Sequence, residues 1–109
     1  MATVIDLHHV SLLVADTGRA LAFYQGILGL EPAPGRAGLD FPGVWLSIGE
    51  RQLHLLELSN PDPVSGRPAH GGRDRHTALA VTGLEDFATR LDRADIPYTM
   101  SRSGRRALF

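Results

Sequence analysis

The chain of 109 residues has no cysteine. That excludes disulfides, thiolate catalysis and zinc–thiolate sites. Nor does it contain lysine: all eleven basic residues are arginine, which fits a compositional bias of the genome better than a dedicated function. The net charge is −1, so nothing points to nucleic acid or an acidic membrane surface as a partner. No apolar run is long enough to span a bilayer, and the N-terminus lacks a signal-peptide pattern; a cytoplasmic protein is the expectation. There is no strand–glycine–helix phosphate loop, because the Gly71-Gly72 pair lies in a connecting segment. No nucleophile elbow or triad spacing occurs either.

What the chain does have is an internal echo. Ile5–Leu30 reads as a strand carrying two histidines, a polar turn and an amphipathic helix that stops at a glycine. Counting from His9 to His76, the pattern returns 67 residues on. Leu12 then matches Leu79 and Val14 matches Val81, and the helices set Ala20, Tyr24 and Leu28 against Phe87, Leu91 and Asp95. A repeat of this size implies two copies of one supersecondary module in a single small domain.

Residues 4–14 alternate as a strand with Val10, Leu12 and Val14 on one face and His9, Ser11 and Leu13 on the other. Asp16 or Thr17 caps the following helix, whose apolar residues recur at 20, 21, 23, 24, 27 and 28. Gly29 ends it, and Pro32 and Pro34 prevent its return. Residues 31–43 form an irregular or weakly extended connection. Strands at 44–48 and 52–58 follow, joined through Gly49-Glu50-Arg51 as a hairpin. Trp45 and Ser47 share a face of the first; Gln52, His54 and Leu56 share one face of the second, with Leu53, Leu55 and Glu57 on the other. Residues 59–75 make a proline- and glycine-rich linker between the copies. The second copy is expected to run as strand 76–82, helix 84–95, strand 97–101 and a turn at Ser103-Gly104 into a further strand at 105–109. Module 1 is thus about 1–58 and module 2 is 76–109, the latter one strand short.

The candidate chemistry lies on the polar strand faces. His9, His76 and His54 are the candidate metal ligands, with Glu57 competing for the third place from the opposite face. Imidazole and carboxylate sets of this kind suit divalent zinc, nickel, iron, manganese or cobalt, which polarise a substrate oxygen or activate water. Trp45, Ser47, Gln52 and Ser11 are the candidate pocket residues. Each histidine also has a plainer reading as an ordinary strand residue, and the recurrence at equivalent positions is what favours a ligand role for His9 and His76. His8 reads as surface or packing and His70 as a solvated linker residue. Arg67, Arg73 and Arg75 read as solvated loop charges, with steering of an anionic substrate as the functional alternative.

The segments HVSLLVADTGRALAFYQGILGL, QLHLLEL and DRHTALAV followed by a helix and IPYT resemble the vicinal oxygen chelate superfamily of glyoxalases, bleomycin- and fosfomycin-resistance proteins and extradiol dioxygenases. The resemblance runs the length of the chain. It implies an α+β fold of paired βαβββ modules, a curved mixed sheet around a cavity with helices outside, and metal ligands at His9, His76 and either His54 or Glu57. A final strand with a fourth, glutamate ligand normally follows a segment like SRSGRRALF; it is missing here. An unpaired sheet edge and the habits of relatives together imply a homodimer. The implied function is a glyoxalase-like metal-dependent enzyme, a lyase, isomerase, dioxygenase or transferase, acting on a small oxygenated organic substrate. The alternative is a metal-free protein that sequesters a small molecule or antibiotic, as bleomycin-resistance proteins do.

Overall fold

A computed structural model describes residues 1–36 and 38–109. The fold is α+β, and the chain forms two compact units, Met1–Pro61 and Asp62–Phe109.

The first unit is built on four strands and a helix: β1 (His9–Leu13), α1 (Thr17–Tyr24), β2 (Glu31–Pro32), β3 (Gly43–Ile48) and β4 (Arg51–Leu56). The sheet is mixed, in the order β1-β4-β3-β2, with β1 parallel to β4 and the other pairs antiparallel. The parallel pair follows from the helical crossover, since two parallel strands cannot be joined by a tight turn. Ile48 pairs with Arg51, so the β3–β4 loop is only Gly49-Glu50, with φ +57° at Gly49. A left-handed first loop residue is what a two-residue II′ hairpin requires, and glycine adopts it without steric cost.

The helix-side face holds the core. Leu46, Leu53 and Leu55 are fully buried, and Val10, Leu12, Val14, Ala20, Leu21 and Tyr24 pack around them. Burial of three leucines on adjacent strands fixes the register, because a one-residue slip would put all of them in solvent. Asp16 caps α1, its carboxylate accepting from the Arg19 amide at 2.8 Å. The helix is shorter than its apolar spacing suggests: α1 ends at Tyr24 with Gln25 as its C-cap, residues 25–28 continue as turns, and Gly29 takes φ +77° after them.

The expected strand at 4–14 is shorter than its alternation suggests. Val4, Ile5 and Leu7 are exposed and only His9–Leu13 pairs, because β4 offers partners from Gln52 to Leu56 and no further. The connection at 31–43 contributes the two-residue β2, whose Glu31 and Pro32 pair with Ser47 and Leu46; Ala37 of that connection lies outside the described residues.

The second unit has one helix, α2 (Leu84–Arg93), with Glu85 and Asp86 in its first turn and Arg90 and Arg93 in its last. Each charge sits where the helix dipole favours it. The strand expected at 76–82 does not form a ladder: Leu79 and Val81 are exposed and lie in no strand. In the first unit β1 is held by β4 alone; among the described residues, 76–82 has no such partner. The strands expected at 97–101 and 105–109 reduce to one bridge between Met100 and Leu108, flanked by bonds joining Thr99 with Phe109 and Ser101 with Ala107. Residues 62–75 are more ordered than a bare linker. They carry a 3-10 turn at Gly71–Arg73, with ion pairs Arg67–Asp74 and Arg75–Asp62 at 2.8 and 2.9 Å. No helix among the described residues is long and apolar enough to cross a membrane.

Candidate functional site

The sheet face opposite the leucine core carries the polar side chains. Cross-strand register sets them in two rows. One row is His9, Gln52 and Ser47, and the next is Ser11, His54 and Trp45. Strand alternation therefore brings together every residue of the first module named above as a candidate except Glu57.

The rings form a pile. His54 stacks on Trp45 with centroids 4.4 Å apart and planes 12° off parallel, and on His9 at 4.2 Å and 18°. Among the described residues, His54 is the one polar residue in the buried set, 8% exposed. Its Nε2 lies 2.8 Å from Gln52 Oε1; an amide oxygen only accepts, so Nε2 carries the proton in this arrangement. Burial, reinforced by the neighbouring charges of His9 and His8, holds the pKa of His54 below the ordinary 6.5. The imidazole is thus kept neutral, the form that binds metals. His9 is exposed at the end of the pile, its Nδ1 2.9 Å from His8 Nδ1. His8, read from sequence as a surface residue, thus orients the ring of its neighbour.

Glu57 faces the helix. Its Oε1 accepts from the Thr17 amide at 2.7 Å, so this carboxylate and Asp16 together serve the N-terminus of α1. That position satisfies a free amide and lies at the positive end of the helix dipole.

In the second unit, His76 is exposed and its Nδ1 lies 2.8 Å from the Asp74 carbonyl. A carbonyl only accepts, so Nδ1 is protonated and Nε2 presents the lone pair. His70 is half-buried, not solvated. Its Nδ1 bonds Thr99 Oγ1 at 2.7 Å and its ring meets that of Phe109 edge-on.

Imidazole is the right donor for a divalent ion, but a catalytic centre takes about three protein ligands. Among the described residues no three His, Asp or Glu side chains gather in that way. Two parallel rings 4.2 Å apart must also tilt toward each other before both reach an ion at about 2.0–2.1 Å. The donor type fits a metal; the arrangement within either unit does not complete a site.

Sequence reasoning missed Glu31, which extends the His9 row through its pairing with Ser47. A two-residue strand ending in proline leaves no periodic signal by which to find it.

The mixed crossover sheet, with one apolar and one histidine-bearing face, defines an α+β fold. Residues 6–101 match the model of the Glyoxalase/Bleomycin resistance protein/Dioxygenase superfamily, and the chain belongs to that family. It is 28% identical over 93 residues to Glyoxylase I 4 of Arabidopsis thaliana, a match covering 85% of this chain and 53% of the relative. The chain therefore spans about half the length of that curated relative. Among solved structures, a protein of Bacillus anthracis assigned to the glyoxalase family superposes with a TM-score of 0.72 at 22% identity, covering 94% of this chain and 80% of that one. A variant of the fosfomycin resistance protein FosX of Listeria monocytogenes, in complex with Mn(II) and 1S,2S-dihydroxypropylphosphonic acid, gives 0.71 at 17%, with 94% and 77% covered. Lactoylglutathione lyase of Agrobacterium tumefaciens gives 0.58 at 22%, with 94% and 81% covered. At these identities the solved structures establish the fold.

Proposed function

We propose that the protein is a divalent-metal-dependent enzyme of the glyoxalase kind, acting on a small oxygenated organic molecule, with His9, His54 and His76 as metal ligands. One observation carries this reading most directly: His9 and His54 lie in contact on the polar face of the first-unit sheet, across from the leucine core. Family membership supports it, as does the tautomer of His76, whose free Nε2 is the nitrogen a ligand would use. Glu57 is set aside as the third ligand, since its carboxylate is engaged at the N-terminus of α1. A bound ion would supply Lewis-acid stabilisation of a negatively charged substrate oxygen. The protein's own residues would do the positioning: Trp45 as a flat wall, with Ser11, Ser47 and Gln52 as hydrogen-bonding groups beside it.

Metal-free sequestration is the second reading, and a specific observation favours it. The Trp45–His54–His9 pile is already satisfied by stacking and by the Gln52 bond, and it offers a surface on which a planar ligand could stack. Elemental analysis of chain purified without added metal separates the two. Near-stoichiometric metal, lost in His9→Ala, His54→Ala and His76→Ala, is the outcome expected of the enzyme. Absence of metal after loading with zinc, nickel, iron, manganese or cobalt would overturn that reading. A homodimer is proposed with it, since β1 is an edge strand of the first-unit sheet and, among the described residues, pairs only with β4.

A further inference from the structure

The second unit holds a cavity of about 770 Å³ bordered by the 3-10 turn and the 101–105 loop. Its charge is one-sided. Arg73, Arg102 and Arg105 line it together with the hydroxyl-bearing Ser101 and Ser103, and no Asp or Glu does. Four other arginines are paired: Arg51 with Asp6, Arg67 with Asp74, Arg75 with Asp62 and Arg106 with Glu85. Among the described residues, Arg73, Arg102 and Arg105 have no carboxylate oxygen within 4.0 Å.

The floor beneath them is closely fitted. A Cβ on Gly72 would lie 2.9 Å from His70 Nε2, and one on Gly71 would lie 3.3 Å from Phe109 Cβ. The glycine pair therefore lets the His70 and Phe109 rings approach the backbone, while Thr99 fixes the imidazole of His70. Clustering three cations without counter-charges raises the free energy of the folded state unless an anion joins them. Guanidinium is also the cation whose planar donor fork matches a phosphate-type oxyanion.

We infer that this cavity is a binding site for a tetrahedral oxyanion, the phosphate or phosphonate group of a small molecule, held by Arg73, Arg102 and Arg105 with the Ser101–Ser103 hydroxyl pair, bonded to each other at 3.0 Å, leaving one O–H to donate. The site does not rest on the metal reading, because these donors act whether or not His76 holds an ion. Since the arginines are exposed, binding to the bare anion is expected in the millimolar range and weakens with added salt.

The test is calorimetric titration of the full chain with inorganic phosphate, after chelation and removal of the chelator by gel filtration. Saturable one-site binding is expected. Arg73→Gln, Arg102→Gln and Arg105→Gln should each weaken it by about three- to tenfold. Arg75→Gln, whose guanidinium is paired with Asp62, should change it less than about twofold. Circular dichroism of each variant confirms that it is folded. Three results would overturn the inference: no saturable binding, equal losses for Arg75→Gln and the lining arginines, or phosphate binding only to metal-loaded protein. The last would place the anion on an ion and leave the metal reading standing alone.

Discussion

The imidazole of His54 lies flat against the indole of Trp45, ring centroids 4.4 Å apart, with the pair set by direct register between β4 and β3. Trp45 is the sole tryptophan, so its emission reports on this contact. Protonating His54 places a cation against the indole, and the emission should change with a midpoint below 6.5. His54→Gln should abolish that transition; a midpoint at or above the ordinary histidine value would contradict the burial account.

The same group gives stability a pH dependence whose sign is fixed. The folded-state pKa of His54 is depressed, so on acidification the unfolded chain takes up the proton first. Its contribution is complete above 6.5, declines as pH falls below that value, and stops declining once the folded-state pKa is passed. Thermal unfolding midpoints should therefore drop as the pH falls through 6.5, and drop less in His54→Gln. Losses below about pH 4 have a separate origin in carboxylates such as Asp74, whose pKa the Arg67 hydrogen bonds lower.

Glu57 should behave as a capping residue. Glu57→Ala removes the acceptor of the Thr17 amide and should cost about 1–2 kcal/mol in denaturant unfolding. Metal content, measured on the same samples, should be unchanged. A metal loss matching that of His54→Ala would restore Glu57 as a ligand.

The leucine triad should dominate the stability of the first unit. Leu55 is completely buried between neighbours on both sides of its strand. Leu55→Ala should destabilise by about 2–5 kcal/mol, through lost transfer energy and the cavity left behind. Leu58→Ala, at an exposed position, should lie within about 0.5 kcal/mol of the parent. Chemical denaturation of the two variants side by side measures the contrast.

Gly43 should resist substitution for a steric reason. A Cβ there would stand 2.3 Å from the Leu55 carbonyl oxygen, which belongs to the strand ladder and cannot swing away as a side chain would. Gly43→Ala should cost about 1–3 kcal/mol, whereas Gly18→Ala, whose nearest neighbour is the Asp16 carboxylate at 3.3 Å, should cost less. Equal unfolding midpoints for the two would show that the β3–β4 ladder yields more easily than its hydrogen bonds suggest.

Most of the first unit was legible because its signals are local and periodic. Alternation placed His54 with Gln52 and apart from Glu57, and Gly49 marked the hairpin, whereas Gly29 overstated the helix, which ends at Tyr24. The second unit was less so. Leu79 and Val81 alternate as a strand would, but alternation supplies only a face, and a strand also needs a neighbour to receive its amides and carbonyls. His70 was misread for a similar reason: its place beside Thr99 and Phe109 depends on residues about thirty positions or more away in sequence.

By itself, then, the order of amino acids determined the recurring histidines, the apolar stripe of α1 and the two faces of β1, β3 and β4. Those follow from the fixed periods of helix and strand and need no knowledge of what lies nearby. Tertiary structure alone decided that three rings would pile into one stack, that a glutamate near the end of a strand would serve a helix, and that three unpaired arginines would border one hollow. Such outcomes depend on which distant backbones come within bonding and packing distance, and no local period encodes that.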